Sequence, residues 1–396
     1  MLIGIDASRA NKPNKTGTEW YSYHLIQWFK KLDKENRYFL YTNVPLKDGL
    51  ENCPENFEEK ILNWPPGRLW TQFRLSYEML VTRLRDFCTR LYRLQDVRDK
   101  TGKEPDRLFV SAHVIPLFHP KKTVVTMHDI GFERFPKIYP WYDIVYHKYA
   151  LRFAKFSAWK IITISEFSKK EIMDVFKIPA EKIKVVYNGF DAGNYKIYPA
   201  EEIESIKLKY GLNSPYFIFT GRLEEKKNTP FLVECFAEFK KSRPECKLVL
   251  VGNTKTGSGF VTHGFERVKE NIEKFGLQKD VITPGWVGVE DLSKLTAGAR
   301  ALVFPSLYEG FGIPPLEAMA CGCPVICSNT TSLPEVAGDA ALLIDPKSKE
   351  EIVRAMNKID ADENLRKELI AKGFENIKRF SWEKCARETL EVILGD

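Results

Sequence analysis

No stretch of the 396-residue chain strings together the roughly 18 apolar residues that a membrane-spanning helix needs. The N-terminus, Met1-Leu2-Ile3-Gly4-Ile5-Asp6, lacks a charged segment followed by a long apolar one, so it reads as a strand of the fold rather than a secretion signal. A cytoplasmic location is the expectation. The eight cysteines are scattered, and only Cys321, Cys323 and Cys327 cluster, without the paired spacing or nearby histidine of a zinc site. They sit in a small apolar run and read as buried, reduced thiols, which fits a reducing compartment. No charge of one sign dominates the whole chain, because +7 is a modest net charge at this length.

What is present describes an ordinary globular chain, 44% hydrophobic and 29% charged. The length is too great for one core and suits two domains. Short apolar runs alternate with helical patterns. Strands are expected at Leu2–Ile5, Tyr38–Tyr41, Leu108–Val110, Thr123–Met127, Lys160–Ile164 and Lys184–Tyr187, and a helix at Lys148–Lys160. A second series begins at Tyr216–Thr220 and runs through Lys247–Val251, Val281–Thr283, Ala301–Pro305, Pro324–Cys327 and Ala341–Ile344. Periodicity lapses over Asp191–Pro215. The alternation implies an α/β fold of two doubly wound Rossmann-like domains with parallel sheets. The expected domains are residues 1–195, residues 196–380, and a C-terminal helix, 381–396, that packs back toward the first. Ligands of such sheets lie beyond the C-terminal ends of the strands.

Four motifs fall at such ends. The first is Glu309-Gly310-Phe311-Gly312-Ile313-Pro314-Pro315-Leu316-Glu317, whose glycines admit close backbone approach and whose prolines start a helix with an anion-attracting N-terminus. Glu317 is expected in that helix's first turn, sharing one small volume with Glu309. The second, Gly221-Arg222-Leu223-Glu224-Glu225-Lys226-Lys227-Asn228-Thr229-Pro230, offers Arg222 and a lysine to phosphate oxygens, with Asn228 or Thr229 as helix cap. The third is Met127-His128-Asp129, and the fourth Lys15-Thr16-Gly17-Thr18-Glu19, with Thr16 and Thr18 as capping oxygens. Each keeps a plainer reading open: a strand–helix loop, a solvated charge run, a structural histidine and an ordinary βα turn.

Together these residues resemble the Glu-x(7)-Glu family 4 retaining glycosyltransferases, which have the GT-B fold. Glu309 and Glu317, the Gly221-Arg222…Lys227 loop, His128-Asp129, Asn188-Gly189 and Phe380-Ser381-Trp382-Glu383 all sit where that family has them. The resemblance implies two domains facing a central cleft and transfer of a hexose from a nucleotide-diphosphate sugar to a glycan or lipid-linked acceptor. It implies that Gly221, Arg222 and Lys227 hold the donor diphosphate and that Gly310, Phe311, Gly312 and Ile313 line the phosphates or sugar. Glu317 would bind the ribose, Glu309 and His128 would lie beside the transferred sugar, and Gly17 would face phosphate and acceptor. It implies no cofactor and no bound metal. The stretch Thr126–Phe132 is similar to that of mannosyltransferases, which favours GDP-mannose over UDP-sugars. The first loop departs from the pattern in having Gly17 as its only glycine. A sugar-nucleotide epimerase or a catalytically silent nucleotide-sugar-binding protein of the same fold is the rival reading. A nucleic-acid partner is not expected, since one basic helix lacks an aromatic stacking platform.

That basic helix lies between Arg68 and Lys103, where nine lysines and arginines face four acids. Within Leu80–Lys103, Leu80, Leu84, Phe87, Leu91 and Leu94 form an apolar stripe at helical spacing, with Arg83, Arg85, Arg90 and Arg93 around it. The segment either docks on an anionic membrane, placing the protein at the inner membrane face, or is a helix that packs on its own domain with a solvated basic face.

Overall fold

A computed structural model describes residues 1–13, 15–64, 69–91, 103–253 and 264–395. These fall into two compact units, residues 1–189 with 382–396, and residues 190–381.

Unit 1 contains a seven-stranded sheet in the order β3-β2-β1-β4-β5-β6-β7. Its strands are β1 (Leu2–Asp6), β2 (Arg37–Thr42), β3 (Phe57–Ile61), β4 (Arg107–Val110), β5 (Lys122–Thr126), β6 (Lys160–Thr163) and β7 (Ile183–Val185). Every pairing is parallel. The helices are α1 (Gly17–Leu32), α2 (Ser76–Leu91), α3 (Gly131–Arg134), α4 (Trp141–Ser157) and α5 (Glu166–Phe176). Ser165 caps α5 by accepting from the Ser168 N–H. The central strands carry apolar side chains on both faces, and Ile3, Ile5, Phe109 and Val124 are fully buried, as a sheet covered on both sides demands. β3, with the sequence Phe-Glu-Glu-Lys-Ile, gives no apolar run to read because it is an edge strand and carries its charges openly.

Unit 2 contains a six-stranded sheet, β10-β9-β8-β11-β12-β13, also parallel throughout. The strands are β8 (Tyr216–Thr220), β9 (Lys247–Val251), β10 (Val281–Gly285), β11 (Leu302–Phe304), β12 (Val325–Ser328) and β13 (Ala341–Ile344). The helices are α6 (Ala200–Lys209), α7 (Thr229–Lys240), α8 (Phe265–Lys274), α9 (Val289–Ala297), α10 (Ile313–Ala320), α11 (Leu333–Ala337), α12 (Lys349–Ala361) and α13 (Glu363–Ile377). α6 lies where periodicity lapses, because Ile206 is its one buried residue and a single contact makes no pattern. Cys321, Cys323 and Cys327 are free, buried thiols, and burial pushes the Cys321 thiol up to about 11.

The last helix, α14 (Trp382–Leu394), belongs to unit 1 and buries Trp382, Cys385, Ala386, Leu390 and Ile393. The Trp382 ring stacks on His24 of α1 at 4.6 Å. Arg107 of β4 donates to the carbonyls of Ile393 and Gly395, a charge-assisted lock on the helix end.

α2 packs on its own domain, with Met79 in the core beside Phe39, Tyr41 and Trp70, but not through the apolar stripe. Its inner face is Met79, Thr82, Asp86 and Thr89, all buried. The apolar stripe points outward instead, with Phe87 63% and Leu91 64% exposed. Arg93 and Leu94 lie outside the described residues.

Candidate functional site

In unit 2 the strand order reverses direction between β8 and β11, which lie side by side: the chain runs outward through β9 and β10 from one and through β12 and β13 from the other. Such a switch point opens a crevice at the C-terminal ends of the two strands. The Gly221 loop leaves β8 there, and the Glu309 loop leaves β11.

The two loops are stitched together. Leu307 N–H donates to the Lys226 carbonyl at 2.9 Å, and the Ser306 hydroxyl donates to the same carbonyl at 3.2 Å. Lys227 forms an ion pair with Glu309, and its ammonium also lies 5.3 Å from the centre of the Phe304 ring. The side chains of this pair are only 15% and 10% exposed. The Ser332 hydroxyl lies within hydrogen-bonding distance of the carbonyls of Glu309 (3.0 Å) and Phe311 (2.7 Å), which fixes the turn. Ser306 and Ser332 were not singled out from sequence, since a buried serine that holds a loop looks like any other.

Two glycines are required by geometry. A Cβ on Gly252, at the end of β9, would stand 1.7 Å from the Gly221 carbonyl oxygen, so the β8 and β9 turns touch backbone to backbone. Gly312 has φ +103°, and a Cβ there would meet Leu333 at 2.5 Å.

Arg222 is half exposed and lies 3.6 Å from Glu224, whose buried Oε1 has no hydrogen bond. Neither Asn228 nor Thr229 caps α7 by its side chain. Asn228 is the N-cap residue with φ +61°, and its amide donates instead to the Pro346 carbonyl at 2.7 Å. Its left-handed backbone turns the side chain away from the helix N–H groups.

α10 starts at Ile313, two residues earlier than Pro315, so Glu317 falls in the second turn and no acid stands in the first. Pro314 and Pro315 occupy the second and third helical positions. Of the first three residues only Ile313 retains an N–H, so the helix end is a narrower anion site than the sequence implies. Glu309 and Glu317 also have different partners. Burial pushes the Glu317 carboxyl up to about 7, against the lowering effect of a hydrogen bond from Tyr195.

The remaining singled-out residues lie in unit 1. Gly17 opens α1 behind the N-cap Thr16, with open space where a Cβ would stand. Glu19 closes the turn: its carboxylate accepts from the Thr16 N–H at 3.2 Å, the Thr18 hydroxyl at 3.2 Å and the Lys12 ammonium at 3.1 Å, as well as the Thr16 hydroxyl. Burial raises the Glu19 pKa, but Thr16, Lys12 and Arg9 more than offset this and hold it at about 2. His128 follows β5 and is buried. Its Nε2 lies 3.1 Å from the Ser111 carbonyl, which makes Nε2 the protonated nitrogen. The ring packs edge-on to Tyr21 at 4.7 Å and lies 5.4 Å from His113. Burial lowers its pKa, so the imidazole is neutral at pH 7.

Among the described residues no three His, Cys, Asp or Glu side chains are grouped as metal ligands. The chain's one Asp-x-Asp, Asp360-Ala361-Asp362, is structural: Asp360 accepts from Arg243 at 2.6 Å, and Asp362 caps α13.

Residues 17–194 match the profile named Glycosyltransferase Family 4, and residues 201–376 that of glycosyl transferases group 1. O-antigen chain mannosyltransferase B of Escherichia coli is 34% identical over 274 residues, 69% of this chain and 70% of that one. The chain belongs to glycosyltransferase family 4. Another Escherichia coli relative of this family 4 glycosyltransferase, the serotype-specific mannosyltransferase WbdA, is 32% identical over 58% of this chain but only 28% of its own length. Among solved structures, Anabaena Alr3699/HepE in complex with UDP superposes with a TM-score of 0.70 over 100% of both chains at 20% identity. The enzyme thus has the GT-B fold, and its two parallel sheets are the Rossmann-like halves of that architecture.

Proposed function

We propose that this enzyme is a retaining, metal-independent mannosyltransferase that moves mannose from GDP-mannose to a glycan or lipid-linked acceptor in polysaccharide assembly. The observation that carries the reading is the union of the Lys227 and Glu309 loops at the β8/β11 switch point. Departure of the diphosphate concentrates negative charge on its oxygens. Lys227, held by its pair with Glu309, the Ile313 N–H at the start of α10 and the half-exposed Arg222 are the cationic or dipolar groups that would receive it. Glu317 would accept hydrogen bonds from the ribose hydroxyls, and backbone of Gly221 and Gly310–Gly312 would lie against phosphates and sugar. The mannosyltransferase names of the relatives support the choice of sugar, and with it GDP as the leaving group.

In the proposed step the acceptor hydroxyl attacks C1 on the face from which the phosphate departs. The new C1–O bond forms as the C1–O phosphate bond breaks, and the acceptor proton passes to a departing β-phosphate oxygen. Lys227 exchanges part of its pairing with Glu309 for the phosphate, which leaves Glu309 to bind a hydroxyl of the transferred sugar. In unit 1 the resemblance assigns His128 to the sugar and the Gly17 turn to phosphate and acceptor. His128, neutral and with Nε2 committed to Ser111, would act through Nδ1.

The test is incubation with GDP-mannose, UDP-glucose and other nucleotide-sugars in excess chelator, with the anomeric configuration of the product read by NMR. An α-mannoside formed in chelator supports the proposal. A β-linked product, or turnover that returns only with added Mg²⁺ or Mn²⁺, overturns it.

A further inference from the structure

The outward stripe of α2 does not stand alone. α4 carries a second one: Trp141, Val145, Tyr149 and Phe156 recur at helical spacing and are exposed, Trp141 by 76% and Phe156 by 81%. The two helices are joined on one face of unit 1. Gln72, just ahead of α2, donates to the Tyr146 hydroxyl of α4. The Phe118 N–H donates to Ser76 of α2 at 2.8 Å, and the ring of His119 meets Phe153 of α4. Leu117 and Phe118 lie between the helices and are themselves exposed. A soluble monomer rarely leaves so many large apolar side chains together in water.

Charge accompanies the apolar surface. α2, α4 and residues 117–122 carry eight lysines and arginines against three acids. Among the described residues Arg85, Lys121 and Arg152 are exposed and form no ion pair. Unpaired cations set among tryptophan, tyrosine, leucine and phenylalanine match the boundary of a bilayer. Aromatic rings sit at the depth of the headgroups there, and each basic residue near the anionic surface adds about 1 kcal/mol of attraction. The same cations argue against a second copy of this chain, because a two-fold interface through this face would set them against one another.

We infer that the exposed faces of α2 and α4, bridged by Leu117–Phe118 and bearing Arg85, Lys121 and Arg152, form a docking surface for an anionic phospholipid bilayer. Among the described residues no helix is long and apolar enough to span a membrane, so the contact is peripheral. It does not depend on which donor the enzyme uses.

The experiment is vesicle flotation of the full chain with phosphatidylcholine alone and with phosphatidylcholine mixed with phosphatidylglycerol. The parent should float with the anionic vesicles, poorly with the neutral ones, and should be released by salt. R85Q/R152Q should weaken binding about thirtyfold, which is about 2 kcal/mol for two cations. W141S/Y149S/F156S should weaken it at low salt as well as high. Circular dichroism and donor hydrolysis in solution confirm that both variants are folded. Failure of the parent to float with anionic vesicles at low salt overturns the inference, as does floating that neither variant changes. So does a parental dimer in light scattering that W141S/Y149S/F156S converts to a monomer, because a second copy would then cover the face.

Discussion

Replacing Lys227 by Met separates two things this side chain does. Its ammonium neutralises Glu309 in a pair that is only 15% and 10% exposed, and it faces the expected site of the leaving diphosphate. Breaking a buried pair by removing one partner costs about 3–5 kcal/mol, and the residual exposure places this one near the lower end, at about 3 kcal/mol. For a domain the size of unit 2 that lowers the melting temperature by roughly 6–12 °C. Loss of one preorganised charge at the leaving group adds about 2.7–4 kcal/mol to the barrier, or about a hundredfold to a thousandfold in kcat. The two effects come apart in K227M/E309Q, which removes the orphaned carboxylate. Differential scanning fluorimetry should show most of the lost melting temperature restored, while initial rates on GDP-mannose stay low. If K227M folds and turns over at the parental rate, the leaving-group argument is wrong. If the double variant melts no higher than K227M, the orphan-charge argument is wrong.

Further expectations concern the surroundings of that pair. The Glu317 carboxyl, raised to about 7 by burial, favours its protonated form in the folded state, so stability should fall as pH rises from the ordinary carboxyl range to about 7 and level off above it. E317Q should flatten that slope in chemical denaturation. If Glu317 accepts the ribose hydroxyls as a carboxylate, calorimetry should show GDP affinity rising by up to about tenfold per pH unit below about 7, and E317Q should abolish this rise. S332A removes the hydroxyl that holds the Glu309 and Phe311 carbonyls and should cost about 1–3 kcal/mol in urea denaturation, with a raised KM for the donor. G252A forces two backbones apart, because its Cβ would stand 1.7 Å from the Gly221 oxygen, and should abolish nucleotide binding in calorimetry even where soluble protein is recovered.

The central strands were legible because burial on both faces writes itself as an unbroken apolar run. Tyr216–Thr220 and Lys247–Val251 read from sequence with the bounds the structure has, as does the apolar edge strand Ala341–Ile344. β3 and α6 were not legible, since one is a charged edge strand and the other buries a single isoleucine. The outward turn of α2 defeated periodicity for a different reason. Apolar residues every three or four positions identify one face of a helix but not what covers it, and here Met79, Thr82, Asp86 and Thr89 take the inner side. Around the site, the glycines and charges of both unit 2 loops stood out in the sequence. The serines that stitch them did not, and neither did the early start of α10, because Pro315 signals a helix start as readily at its third position as at its first.

The most direct test is calorimetric titration of GDP, with UDP and ADP beside it, into the parent and into R222Q/K227M/E309Q in excess chelator. A preformed cationic cradle between the β8 and β11 loops predicts that the parent binds GDP without metal and that the triple variant, shown folded by circular dichroism, loses that binding. Undiminished GDP binding by the folded triple variant, or no nucleotide binding by the parent until a divalent ion is added, would contradict it.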